Sequence, residues 1–396
     1  MIVREVKLKL NTGQQTILEG WLWHLTGVWN WAIRKIELDA RDGIYYSKLE
    51  FQNLLAGHSK TLGIPARVIQ PFLVQAWTAW QRCFKRVGRK PRLKGHRNKL
   101  NSIPFSYDIS LKPGNRVQVP GLGQLRYHKQ DIPDAAIKCG RICKRASGWY
   151  LCLWLDTEHS FAVQETDSAV GIDPGFTSLL TLSDGTKYEN PRELRKGAER
   201  YGRAQRGRRK RLSARLLERQ ANKRKDRNHK IARRIVEDHQ TVYYADDHFR
   251  GMAGKFGKSV SEAGLGQLLG YITYKGRIAG REIIPVDSRF TTMTCSACGA
   301  ITGPKGWDGL AVRRWTCSAC GAVHDRDVNA ACVVLNAGAR SALKPSGDRG
   351  NGQEPMRARE TDSHYRYRGT HARGRDRVSK DGLAGGHGGP QQFERR

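Results

Sequence analysis

Apolar and charged residues alternate over residues 2–10, where Val3, Val6, Leu8 and Leu10 are set among Arg4, Glu5, Lys7 and Lys9. A period of two predicts a half-buried strand. The period then lengthens. Ile17, Leu18, Trp21, Leu25, Val28, Trp29, Ala32 and Ile33 recur every three or four residues, which predicts a helix over 14–38 capped by Thr12. A second stripe of Val68, Phe72, Ala76, Trp80 and Phe84 predicts a helix over 66–86, with a shorter one over 46–55 between them. The tryptophans in these stripes read as helical core, and direct base stacking is the other use open to them.

The helical pattern breaks at Gly88-Arg89-Lys90-Pro91-Arg92-Leu93-Lys94, and short strands follow to about residue 156. Hairpin turns at Gly121-Leu122-Gly123 and Ser147-Gly148 give this stretch the outline of a small β-barrel. A new domain opens with an apolar strand over 169–173, a Pro-Gly turn, and a hairpin over 178–188 joined at Asp184-Gly185. Further on, strands are predicted over 241–247 and 282–287, and helices over 265–278 and 328–337. From residue 340 aliphatic side chains almost vanish, so 340–396 is predicted to be disordered.

Charge changes this picture. The 70 Lys and Arg against 37 Asp and Glu leave a formal net charge of +33, and self-repulsion of that size calls for a polyanionic partner. An anionic membrane fits poorly, because no run of about 18 apolar residues exists and the basic stretches have no apolar face. The N-terminus lacks the apolar core of a signal peptide. Residues 192–235 are the most basic, with nineteen Lys or Arg against four acidic residues. Phosphate-contacting candidates there are Arg200, Arg203, Arg206, Arg208, Arg209, Lys210, Arg211, Arg215, Lys223, Arg224, Lys225, Arg227 and Lys230. Arg89, Lys90, Arg92 and Lys94 join them from the 88–99 stretch. The excess of arginine favours bidentate contacts to phosphate.

Nine cysteines, an odd number, point to a reducing compartment and a metal site, not a disulfide framework. Cys295-Ser-Ala-Cys298 and Cys317-Ser-Ala-Cys320 are each followed by a glycine that lets the chain turn around a metal. Four thiolates so arranged form a closed tetrahedral Zn²⁺ site, structural because no coordination position stays open. His324 is available to replace one ligand. Three acidic positions complete the chemistry: Asp173 at a strand end, Asp247 (or Asp246) at another, and Asp327 at a helix start. Each alone is explicable as a turn residue or an N-cap. Together, carboxylates at strand ends and a helix N-terminus can converge on two Mg²⁺ (or Mn²⁺) ions that hydrolyse a phosphodiester.

Gly171-Ile-Asp-Pro-Gly175 resembles the first RuvC motif of the TnpB proteins, and Asp325-Arg-Asp-Val-Asn-Ala-Ala331 after the cysteine module resembles the third. Asp226-Arg-Asn-His-Lys230 is also familiar from that family. The resemblance covers roughly residues 1–338. It implies a transposon-encoded, RNA-guided DNA endonuclease, similar to the ancestors of type V CRISPR effectors, in the bacterial cytoplasm at the nucleoid. It implies an α/β fold: an RNase H-like RuvC domain (167–294 and 322–339, with a basic helical insert at 192–236) carrying an inserted zinc ribbon (295–321). Before it would come a β-barrel wedge (1–12 and 88–166) with an inserted helical recognition lobe (13–87). The implied partners are a guide RNA and double-stranded target DNA with a short flanking motif.

The second RuvC motif departs from the pattern. The family has glutamate in Glu-Asp-Leu-Asn or Gln-Asp-Glu-Asn, and this chain has Ala245-Asp246-Asp247-His248. Residues two apart on a strand share a face, so Asp247 can serve the site that position 245 would face, while Asp246 points away. Three other readings stay open: a nuclease-impaired RNA-guided repressor, an RNA-independent transposase or resolvase-type nuclease, and a non-enzymatic zinc-ribbon binder.

Overall fold

The computed structural model describes residues 2–96, 98–105, 109–157, 163–247, 249–306 and 308–342. The predicted disordered tail lies outside the described residues beyond residue 342, while residues 340–342 close the last helix.

Strand β1 (Ile2–Lys9) buries Ile2, Val6 and Leu8, whereas Val3 is 45% exposed on the opposite face. The buried set is therefore the even-numbered one. Helix α1 (Thr12–Arg41) is capped one residue earlier than the sequence suggested: Asn11, not Thr12, is the cap, accepting from Gln14 N at 2.8 Å while the Gln14 side chain returns to Asn11 N. That reciprocal box satisfies two otherwise orphaned donors. Helices α2 (Lys48–Asn53), α3 (Ser59–Leu62) and α4 (Ala66–Phe84) follow. Trp21, Trp29 and Trp80 are core residues, and each indole N–H donates to a backbone carbonyl, of Gly63, Arg92 and Ile33 respectively. Ile17 and Phe84, assigned to the stripes from the sequence, lie at their exposed edges.

Strands β2 (Ser102–Phe105), β3 (Ser110–Lys112), β4 (Arg116–Val119), β5 (Gly123–Tyr127), β6 (Ala136–Arg145) and β7 (Gly148–Asp156) join β1 in an antiparallel sheet ordered β2-β6-β7-β1-β5-β4-β3. One core fills this sheet and the helical stripes together.

The second half is built on β8 (Ala169–Pro174), β9 (Ser178–Leu182), β10 (Lys187–Glu189), β11 (Thr241–Ala245) and β12 (Glu282–Val286), in the order β10-β9-β8-β11-β12. β8, β11 and β12 are parallel, and β9 runs against β8. Between β10 and β11 lie α5 (Glu193–Lys196), α6 (Ala198–Arg206) and α7 (Lys210–Asp238). Between β11 and β12 lie α8 (Phe249–Ala263) and α9 (Leu265–Ile278). The short hairpin β13 (Arg314–Thr316) and β14 (Val323–Asp325) precedes α10 (Arg326–Ala342), which extends further at both ends than its sequence pattern indicated.

Helices α7 and α9 cover one face of this sheet, their Ile231, Ile235, Leu268 and Ile272 packing with Val170, Ile172 and Val242. α10 covers the other, with Val334 and Leu335 against Tyr243 and Ala245. The approach of α10 is close. A Cβ on Gly171 would fall 2.1 Å from the Ala331 carbonyl oxygen, so the first glycine of Gly-Ile-Asp-Pro-Gly is a packing requirement.

Candidate functional site

Pleating places Gly171 and Asp173 on one face of β8. Because Gly171 lies under α10, Asp173 points toward the N-terminal end of that helix. Burial pushes the Asp173 carboxyl up to about 8, the charges of Asp327 and Asp247 add to the rise, and Arg326 opposes it. Asp173 thus feels the charges of two carboxylates far from it in sequence.

β11 ends at Ala245, which is 1% exposed and packed with Val334 in the layer between sheet and helix. Asp246 N bonds to Val286 O at 2.9 Å and its side chain is exposed. Asp247 then turns back, its N–H on Ala245 O at 3.1 Å, and its side chain is half-buried. Burial raises the Asp247 carboxyl, a hydrogen bond from Ser288 lowers it, and the Asp246 charge adds to the rise. Its place in the site comes from a turn after the strand and not from strand alternation. His248 lies outside the described residues.

Asp327 is not the cap of α10. Asp325 Oδ1 accepts from Asp327 N and Val328 N, both at 3.1 Å, while its other oxygen pairs with Lys187 at 2.8 Å. The Asp327 carboxylate is left to project from the first turn, where Arg313 Nη1 meets both oxygens at 3.3 Å.

The cysteine cluster forms from two matching knuckles. Cys295 O accepts from Gly299 N and Cys317 O from Gly321 N, and both glycines take positive φ, at 80° and 74°. Cys295 and Cys320 sulfurs are 3.7 Å apart, as are those of Cys298 and Cys317. Bond lengths of about 2.3 Å from Zn²⁺ to sulfur in a tetrahedron put sulfurs about 3.8 Å apart, so the donor set fits that ion. A hydrogen bond from Thr302 pushes the Cys317 thiol down to about 6, favouring the thiolate a metal needs. His324 Nε2 is 3.0 Å from Cys295 Sγ, and the imidazole lies against the Trp315 ring, centroids 4.8 Å apart.

Asn329 was not singled out from the sequence as a working residue. It is 2% exposed, donates to Thr294 O at 2.7 Å and accepts from Ser296 N at 2.8 Å, tying α10 to the first knuckle. A short polar residue inside an otherwise apolar helical stripe was the available signal. Buried Glu218 was also missed: it accepts from Ser147 N and Oγ at 2.8 and 2.7 Å, fastening α7 to the β6–β7 hairpin.

The basic candidates divide. Arg200, Arg203, Arg206, Arg208, Arg209, Lys210, Arg211, Arg215 and Lys225 are exposed along α6 and α7 and the turn between them, as are Arg89, Lys90 and Arg92. Arg203 and Lys90 pair on the surface with Glu199 and Glu37. Others are committed within the fold. Arg227 is half-buried, donating to Asn228 Oδ1 and Ala263 O, and Arg224 donates to Ser261 O. Half-buried Lys94 sits over the Trp29 ring, while Lys223 and Lys230 are exposed and pair on the surface with Glu193 and Asp226. Within Asp226-Arg-Asn-His-Lys230, fully buried Asn228 bonds to Gly264 O and Gln267 Oε1, and His229 stacks on Tyr271 at 3.9 Å, so the motif joins α7 to α9. No helix among the described residues is long and apolar enough to cross a membrane.

Two family models match: the one described as Cas12f1-like, TNB domain, over residues 266–334, and the one described as Probable transposase (OrfB_IS605), over residues 153–254. The chain is similar to a "Putative RNA-guided DNA endonuclease" of Streptomyces pristinaespiralis, 35% identical over 326 residues that cover 76% of this chain and 77% of that one. InsQ of Escherichia coli (strain K12), described in the same words, is 24% identical over 304 residues, covering 69% and 75%. Among solved structures, the Cas12f1–sgRNA–target DNA complex matches with a TM-score of 0.35 at 15% identity, covering 85% of this chain and 99% of that one. A CRISPR-Cas12f ternary complex matches with a TM-score of 0.35 at 14% identity, covering 82% of each.

Proposed function

The chain belongs to the TnpB family of transposon-encoded RNA-guided DNA endonucleases, and on that premise we propose that Asp173, Asp247 and Asp327 form a RuvC-type, RNase H-like nuclease centre. The observation that carries this reading is the placement of Asp173 at the end of β8 beneath α10, near the first turn from which Asp327 projects; burial raises the Asp173 carboxyl and the charges of Asp327 and Asp247 add to the rise. Three carboxylates, with Arg326 acting on Asp173 and Arg313 pairing with Asp327, are a donor set for divalent cations. A pair of Mg²⁺ (or Mn²⁺) ions is the metal such an all-carboxylate donor set would hold. When bound, such ions activate water and stabilise the leaving oxygen of a phosphodiester.

The chain's own residues do the rest. Asp173 is fixed by β8 under α10, and Asp327 by a helix start whose cap is Asp325. Buried Arg326 holds Gly309 O and lends positive charge to Asp173. The four cysteines hold a structural Zn²⁺, and the ribbon around it braces the first turn of α10 through Asn329. The exposed arginines of α6 and α7 grip the phosphates of a guide RNA, and base pairing with that RNA selects the target DNA. The first sheet with its helices acts as wedge and recognition lobe, binding the duplex with its short flanking motif. The protein works in the bacterial cytoplasm, at the nucleoid.

Sequencing RNA that co-purifies with the chain tests the guide, and finding no discrete RNA rejects it. Loading that RNA and adding matched DNA with Mg²⁺ tests the centre: the wild type cuts and Asp173→Ala keeps RNA binding without cutting. The competing reading, a nuclease-impaired repressor, draws on the buried Ala245 at the strand end. Its expected result is tight target binding with no cleavage by the wild type.

A further inference from the structure

We propose that Phe290 is a stacking platform that seats a nucleobase of the target DNA strand at the mouth of the carboxylate cleft. The inference rests on the proposed nuclease centre and adds a positioning residue to it. Phe290 lies in the loop after β12, two residues beyond Ser288, whose side chain hydrogen-bonds Asp247. The same loop runs into Thr294, whose carbonyl takes the Asn329 brace of α10, two residues after Asp327. The loop therefore links the elements that carry two of the three carboxylates.

Two observations single out this residue. Its ring is 59% exposed and makes no ring or cation contact among the described residues, so it contributes nothing visible to the core. Its backbone is left-handed, at φ 62°, a conformation that is uncommon outside glycine and an outlier for a bulky aromatic. That conformation is held in place. Phe290 O accepts from Met293 N, Thr294 N and Thr294 Oγ1, all at 2.9 Å, and buried Thr291 bonds back to Ser288 O. A glycine would adopt this turn without strain and leave no apolar ring in water. An exposed aromatic kept at a conformational cost two residues from the partner of Asp247 is explained by a ligand that uses the ring. A nucleobase fits, because stacking needs only a flat apolar face.

The test uses full-length chain loaded with its guide RNA, with a single-stranded DNA target carrying 2-aminopurine. The expected result for Phe290→Gly is an unchanged or higher melting temperature, a strand affinity weaker by about ten-fold or more, and cleavage lowered mainly through KM. Phe290→Leu, which keeps apolar bulk without a flat face, should lose affinity similarly. Phe290→Trp should retain it, with indole emission quenched on binding. If Phe290→Gly and Phe290→Leu bind and cleave as wild type while Asp173→Ala does not cut, the stacking role is overturned and the nuclease centre stands. If Asp173→Ala also cuts normally, the centre itself falls and this inference with it.

Discussion

The side-chain amide of Asn329 donates to the carbonyl oxygen of Thr294 at 2.7 Å, so the helix that presents Asp327 is fastened to the loop that opens the cysteine cluster. The same side chain accepts from Ser296 N at 2.8 Å. One side chain therefore ties the first turns of α10 to the loop of the cysteine cluster.

That brace predicts the behaviour of Asn329→Ala. Losing two buried hydrogen bonds costs about 1–3 kcal/mol, since Thr294 O and Ser296 N lose their partner. The melting temperature should fall, zinc should leave faster under a chelator, and cleavage should drop although Asp327 is untouched. Wild-type melting and zinc retention would show that the brace carries no weight.

The second prediction concerns protons. Asp173 is raised to about 8, so in metal-free protein near neutral pH it holds a proton. The sign follows from linkage: the folded state binds more protons than the unfolded one between about pH 4, the ordinary carboxyl range, and pH 8, so metal-free stability falls as pH rises through that window. Divalent cations need the ionised form. Mg²⁺ binding near pH 7 should release protons, and affinity should climb to about pH 8 and then level. Calorimetry in two buffers of different ionisation enthalpy measures this, with Asp173→Asn as the silent control. Heats that do not depend on buffer would contradict it.

Positions 245 to 247 can be separated experimentally. Asp247→Ala should cut Mg²⁺ affinity and cleavage by more than the roughly 10–100-fold typical of an outer-sphere partner. Exposed Asp246→Ala should change little. Ala245→Glu should unfold the chain more easily without divalent ions, by about 3–5 kcal/mol, because it buries an unpaired charge against Val334. Equal cleavage by the Asp246 and Asp247 variants and the wild type would remove position 247 from the centre.

Arginines that look alike in sequence should behave differently. Arg208→Ala should leave melting unchanged and flatten the log–log salt dependence of RNA binding by about 0.7–0.9. Arg227→Ala should keep the salt slope and destabilise the fold by about 1–3 kcal/mol, because Ala263 O and Asn228 lose their donor. Matching salt slopes for the two variants would erase the distinction.

What the sequence determined by itself was local or additive. Each Cys-x-x-Cys-Gly knuckle closes within a few residues, so its spacing already describes its shape. The stripes of α1 and α4 report their buried faces because helical periodicity is a property of neighbouring residues, and net charge is a sum that needs no fold. The tertiary structure decided what depends on register between distant segments. It set β8 beside β11 and laid α10 over Gly171, which brought Asp173, Asp247 and Asp327 into one field. It gave the cap of α10 to Asp325 and freed Asp327, and it placed Asp247 in a turn while burying Ala245. It also spent Arg224 and Arg227 on backbone carbonyls of α8, leaving the arginines of α6 and the start of α7 for a polyanion. Such choices rest on contacts between residues tens of positions apart, and no pattern along the chain encodes which of two adjacent side chains will meet a partner that arrives from elsewhere.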